Sequence, residues 1–171
     1  SFKNAIDLAV EQINNAGGID GRPVEVIVKD SEGNPKLAKR IARKFTKDKR
    51  ILAEIGDFTS TCSMAATPIY QRAEMVQLSP TASHPSFAPG SPFSFSIAGT
   101  AKGSLNAIMA QLAVERLAKR RIAVLYIKND WGVATQKFFT DEIKRLGGAV
   151  VSVVPYFEGT TDFSPLIERL R

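Results

Sequence analysis

Two stretches of the sequence concentrate hydroxyl groups where an open parallel sheet binds its ligands. Asp57-Phe58-Thr59-Ser60-Thr61 follows a short apolar run ending at Gly56 and leads into a helical pattern. Free backbone N–H groups and hydroxyls at such a junction form a cradle for a carboxylate or another anion. Ser79-Pro80-Thr81-Ala82-Ser83 follows a second apolar run, and its hydroxyls and carbonyls suit an ammonium or an amide. Adjacent strands would set the two loops side by side beyond their carboxyl ends. The same residues have plainer uses: Ser60 and Thr61 as helix N-caps, and Ser79-Pro80 as a turn. A third loop, Lys128-Asn129-Asp130-Trp131-Gly132, holds the single tryptophan just ahead of a helix. Trp131 can cap a ligand there or pack on its own helix.

Nucleophilic and metal chemistry find less support. His84 lies in Ser83-His84-Pro85 with no motif setting a serine and an aspartate beside it, so it reads as a surface histidine. Cys62, in a first helical turn, could have a lowered pKa. No general base accompanies it, and a small buried residue is the expectation. One cysteine and one histidine exclude an internal disulfide framework, a Cys-rich zinc module and a multi-histidine metal site. Gly17-Gly18-Ile19-Asp20-Gly21 follows a helix rather than a strand, so it is not a phosphate-cradling loop. Asp30 ends a predicted strand, as in phospho-acceptor domains, without the rest of that constellation. No cofactor is expected.

The elements that must position these loops alternate. Ile6, Ala9, Val10 and Ile13 recur at helical spacing and predict a helix over 3–15, stopped by Gly17-Gly18. Residues 23–28 alternate and are rich in valine, predicting a strand. Asn34 caps a helix with Pro35 at its first position, running to about 47. Strands at 51–55, 75–78, 93–97, 122–127 and 150–154 are separated by helices at 61–73, 102–118, 131–146 and 162–171 and by a Pro/Ser/Gly-rich loop at 80–92. Pro68 should bend the third helix. Leu105, Ile108, Met109 and Leu112 form the apolar stripe of the fourth. This order predicts an α/β fold of doubly wound parallel sheets, helices covering both faces.

The 171 residues are 44% hydrophobic and 23% charged, a globular composition with enough length to bury a core. The longest apolar run, Ile122–Ile127, is too short to span a bilayer. Ser1-Phe2-Lys3-Asn4 reads as the start of an amphipathic helix, so no secretory leader is expected within these residues. The net charge of +6 resides in one place. Residues 35–50 carry eight Lys/Arg against Asp48 alone, a local +7, so the remainder sums to −1. Six of the eight share one helical face opposite Leu37, Ile41 and Phe45, which reads as the solvated side of a packed helix. Nucleic-acid binding would bring aromatics or a second basic element, and no such partner is expected.

Taken together, several segments resemble one family. "AIDLAVEQINNAGGIDG" (5–21), residues 23–30 and "NPKLA" (34–38) are similar to the opening of branched-chain amino-acid-binding proteins. These are type I periplasmic solute-binding subunits of ABC importers, of the leucine/isoleucine/valine class. "IGDFTSTCSMAATPIYQRAEMVQLSPTAS" (55–83) resembles the family's first-lobe ligand segment, and "RIAVLYIKNDWG" (121–132) with "YFEGTTDFSPLIERL" (156–170) its second lobe. The resemblance implies two α/β lobes, 1–98 and 99–171, that close on a ligand about a crossover at 98–101.

It further implies roles for particular residues. Ser60 would bind a ligand carboxylate through hydroxyl and N–H, and Thr81, Ala82 and Ser83 would supply a carbonyl to the α-amino group with hydroxyl and N–H contacts. Phe58 would line the side-chain pocket, and Trp131, where relatives commonly have tyrosine, would close from the second lobe. The implied ligand is a small amino acid or related carboxylate or amide, and the implied partner a membrane permease. The implied location is periplasmic or extracellular, lipid-anchored in a Gram-positive cell. Thr59 and Gly33 stand where some members have a first-lobe disulfide, so Cys62 is expected as a free thiol. Members are about twice this length and the sequence starts and stops in helical pattern, so it reads as a fragment lacking the first strand and half of lobe two. A dimer through the truncated surface is a further expectation. The alternatives are the same fold as a sensory domain of a receptor or regulator, and a small hydrolase using Ser60 or Cys62.

Overall fold

A computed structural model describes residues 2–100 and 105–170. The chain divides into two compact units, Ser1–Asp30 and Ser31–Arg171. The first holds helix α1 (Phe2–Asn15). Gly18 closes it at φ +77°, where a Cβ would lie 2.1 Å from the Arg22 carbonyl oxygen. Residues 23–28, predicted as a strand, form no ladder. The Asn14 side chain takes both backbone groups of Val24 instead, accepting from its N–H at 2.7 Å and donating to its C=O at 3.0 Å. Alternating valines say which faces a segment would present. They do not supply the neighbouring strand that a ladder requires.

The second unit contains two parallel sheets. Helix α2 (Pro35–Phe45) starts as expected, with the Asn34 side chain accepting from the N–H groups of Lys36 and Leu37. Strand β1 (Ala53–Ile55), helix α3 (Ser60–Arg72), strand β2 (Val76–Ser79) and strand β3 (Ser94–Ser96) follow, the strands ordered β1-β2-β3. Helix α3 continues through Pro68. Ala42, Ala66, Ile69, Tyr70 and Met75 form the core where α2 packs on α3, flanked by Phe45 and Ile51.

Between α3 and the sheet the buried layer is polar. Gln77, fully buried in β2, donates from Nε2 to the Ser63 carbonyl at 3.1 Å. Its Oε1 receives the hydroxyls of Thr67 at 2.8 Å and Ser94 at 3.2 Å. Every polar atom of this amide therefore has a partner, which offsets its desolvation.

The second sheet pairs β4 (Arg121–Ile127) with β5 (Ala149–Tyr156), parallel, with a register shift at Ile122/Ala123. Helix α5 (Asp130–Arg145) connects them, and α6 (Ser164–Glu168) follows. Helix α4 (Asn106–Gln111), continued by a π-helical turn over Leu112–Arg116, precedes β4. The expected start of that helix, at 102, and the last residue of the expected crossover, 101, lie outside the described residues. The apolar stripe expected in this helix is not the face that packs. Ala110 and Val114 are buried against Ile143, while Leu105, Ile108, Met109 and Leu112 are exposed. Small side chains let α4 approach α5 closely, and that fit, not the apolar count, selects the inner face.

The parallel α/β class is as the sequence predicts. Ile55, Val76 and Phe95 on one sheet, and Leu125, Val151 and Val153 on the other, remain exposed opposite the packed helices. Strand periodicity marks a side chain as apolar without furnishing the layer that covers it. Among the described residues no helix is long and apolar enough to cross a membrane, and none of the His, Cys, Asp and Glu groups is arranged to hold a metal.

Candidate functional site

Strands β1 and β2 pair in register, Ile55 opposite Leu78, so the loops beyond them emerge together. Three hydrogen bonds join these loops. The Ser79 hydroxyl donates to the Asp57 carbonyl at 2.9 Å, and the Thr81 hydroxyl to the Phe58 carbonyl at 2.7 Å. The His84 N–H donates to the Ser60 hydroxyl at a longer 3.3 Å.

Helix α3 begins in this cluster. Thr59 is its N-cap, its Oγ1 accepting from the Cys62 N–H at 3.2 Å, so neither Ser60 nor Thr61 has the capping role open to it in sequence. Ser60 is instead the first helical residue and is 5% exposed. First-turn N–H groups such as those of Ser60 and Thr61 have no intrahelical acceptor and carry the positive end of the helix dipole. The Thr61 hydroxyl is buried without a hydrogen-bond partner. Asp57 does not oppose an anion with a bare charge. Its Oδ1 accepts from the Ser31 hydroxyl at 2.8 Å and the Phe58 N–H at 3.1 Å.

In the second loop, Ala82 is 1% exposed. Its N–H donates to Ser79 Oγ at 3.0 Å and its carbonyl receives Ser96 Oγ at 2.7 Å. Ala82 is thus a fixed point of backbone, while Thr81 and Phe58 are exposed and Ser83 is half-buried. Trp131 reaches the same place from the other sheet. Its indole N–H donates to the Ser83 hydroxyl at 2.7 Å. Trp131 lies in the first turn of α5, where Asn129 Oδ1 accepts from the Gly132 N–H at 2.8 Å. A Cβ on Gly132 would stand 1.9 Å from the Ile127 carbonyl oxygen, so glycine allows α5 to start hard against the end of β4. Among the expected residues, Phe58, Ser60, Thr81, Ala82 and Ser83 share two joined loops, and Trp131 meets them through Ser83.

Beneath the first loop lies a carboxyl the sequence did not signal. Burial, then the charge of Asp57, pushes Glu54 up to about 8 against a partial offset from Gln77. Its Oε2 is buried without a hydrogen-bond partner. Burial likewise pushes the Tyr70 hydroxyl up, with Glu54 and Asp57 adding to it. Ser79, Ser96 and Asp57 are further residues whose structural weight was missed. The available signal was Ser79's place at a strand end before proline.

Nucleophile chemistry is poorly served. Cys62 is fully buried and unbridged, and burial pushes its thiol up. The His84 ring accepts from the Ser86 N–H at 3.1 Å through Nδ1. Only the backbone of His84 is seen bonded to Ser60.

A family model described as periplasmic binding protein matches residues 1–171. The chain belongs to the periplasmic binding protein family. The Leu/Ile/Val-binding protein of Escherichia coli K12 is 28% identical over 164 residues, which cover 95% of this chain and 44% of that protein. A leucine-, isoleucine-, valine-, threonine- and alanine-binding protein of Pseudomonas aeruginosa is 27% identical over 165 residues, 96% of this chain and 44% of that one. Among solved structures, a branched-chain amino acid transporter substrate-binding protein of Streptococcus pneumoniae in complex with isoleucine superposes with a TM-score of 0.86. It is 26% identical, over 96% of this chain and 46% of that one. This periplasmic binding protein chain therefore spans less than half the length of the curated relatives it matches.

Proposed function

We propose that the chain is part of an extracytoplasmic solute-binding subunit of an ABC importer. It takes a small amino acid, or a related carboxylate or amide, between two lobes and delivers it to a membrane permease. The lobes are 1–98, which includes β1–β3, and 99–171, which includes β4 and β5. The location is periplasmic. Family membership supports this reading, as do the amino-acid-binding relatives. Family members are solute-binding proteins, and this chain's role is binding rather than catalysis.

The observation that carries the proposal is the Trp131–Ser83 hydrogen bond, because it brings a side chain from the second sheet onto the loops of the first. In this reading the first-turn N–H groups of α3 and the Ser60 hydroxyl receive the ligand carboxylate. Thr81 and Ser83 hydroxyls serve its amino end, with Ala82 holding their loop in place. Phe58 and Trp131 flank its side chain, and the breadth of the indole suits an aromatic or extended ligand better than valine.

Calorimetric titration of the full-length protein that contains this chain with leucine, isoleucine, valine and phenylalanine tests this. Binding weakened ~10-fold or more by Ser60→Ala and by Ser83→Ala is expected, the scale of a lost hydrogen bond to a charged group. Heat from none of the ligands, or affinities indifferent to both substitutions, would overturn it.

A further inference from the structure

The strongest feature outside the ligand loops is the outer face of α2. Lys36, Lys39, Arg40, Arg43 and Lys44 lie on it, Lys47 follows in the turn after its C-cap, and all six are exposed. Ala38 and Ala42 on the inner face are buried, and Ala42 belongs to the core shared with α3. Among the described residues, no carboxylate forms an ion pair with any of the six. Asp48, the acid that follows the helix, is taken by Arg50 at 2.7 Å. The result is a row of cations about 12 Å long on the helix, from Lys36 to Lys44, continued by Lys47. Among the described residues no exposed aromatic stands between these cations.

We infer that this face docks the protein on an anionic lipid surface. A flexible row of ammonium and guanidinium groups on a convex helix matches a plane of mobile phosphate headgroups, which requires charge but no shape. Juxtamembrane basic segments are drawn to such surfaces in proportion to their cations. A nucleic-acid site would add stacking side chains or a second basic element, and neither accompanies α2. The inference is independent of which solute the loops hold. Its consequence is that diffusion to a membrane partner becomes a search over a surface rather than through a volume.

Vesicle sedimentation tests it, with phosphatidylglycerol mixed into phosphatidylcholine and phosphatidylcholine alone as the comparison. Binding to the anionic vesicles is expected at low salt, with ~10-fold loss at high salt from screening. The triple reversal Lys39→Glu, Arg43→Glu, Lys47→Glu should weaken binding by ~100-fold, three cations' worth. Lys119→Glu, Lys137→Glu, Lys144→Glu makes the same change in net charge elsewhere and should retain most binding. Unchanged thermal melting of both variants will show that the fold is intact. Absence of binding to anionic vesicles, equal loss in the two variants, or tighter binding to duplex DNA than to vesicles at the same salt would each overturn the inference.

Discussion

The indole N–H of Trp131 donates to the hydroxyl of Ser83 at 2.7 Å, joining the first turn of α5 to the loop after β2. Because the chain has one tryptophan, this contact has its own optical reporter. Ser83→Ala is expected to shift Trp131 emission, and Trp131→Phe to lower stability by about 0.5–1.5 kcal/mol, the net worth of one hydrogen bond. Emission identical in wild type and Ser83→Ala would show that the bond does not persist in solution.

Ser79 joins two backbone groups, the Asp57 carbonyl and the Ala82 N–H. Ser79→Ala strands the buried Ala82 N–H and leaves the Asp57 carbonyl with only the Ser63 hydroxyl at 3.3 Å. The expected loss is about 1–3 kcal/mol for the stranded N–H, read as a fall in the urea midpoint. Thr81→Ala removes a comparable bond at an exposed position, where water replaces it, and should have a smaller effect.

Glu54 makes stability depend on pH. With its carboxyl raised from 4.5 to about 8, the folded protein keeps a proton that the unfolded chain has released. Stability therefore declines as pH rises through that interval and levels off above it. Glu54→Gln should abolish most of this slope and be more stable than wild type at pH 9. Denaturant midpoints between pH 5 and 9 will decide, and parallel profiles for the two proteins would refute the assignment.

Gly132→Ala places a methyl group 1.9 Å from the Ile127 carbonyl oxygen, so the start of α5 must move away from β4. Overpacking of this kind destabilises by about 1–3 kcal/mol. The displacement also pulls Trp131 from Ser83, and the expected signature is a lower Tm together with altered tryptophan emission. Gly90→Ala, where a Cβ meets nothing within 4 Å, is the control.

Local signals made much of this readable in sequence. Asn34-Pro35 marked the start of α2, the apolar run Ile122–Ile127 marked β4, and the hydroxyl-rich loops after β1 and β2 lie together as adjacent strands require. Relations between distant residues were not readable in the same way. The apolar stripe of α4 faces outward because Ala110 and Val114 fit α5 better, which depends on the neighbour's surface. Residues 23–28 have strand character without a ladder. Thr59 rather than Ser60 caps α3, a choice settled by one residue's backbone conformation. Glu54 and Gln77 looked like ordinary polar positions on short strands, since their burial arises from helix α3 lying over them.

A strand of four residues holds its alignment weakly when apolar contacts are its main constraint. Val76 and Leu78 would tolerate sliding along β3, since one hydrophobic neighbour serves nearly as well as another. Gln77 does not, because its amide meets partners at Ser63, Thr67 and Ser94 at a single alignment. Sliding β2 by two residues would bring Met75 or Ser79 against those polar groups, and neither side chain carries the amide that satisfies them at once. The buried amide thus acts as a key for strand pairing, selecting the one alignment in which the loops carrying Ser60 and Ser83 finish level with each other.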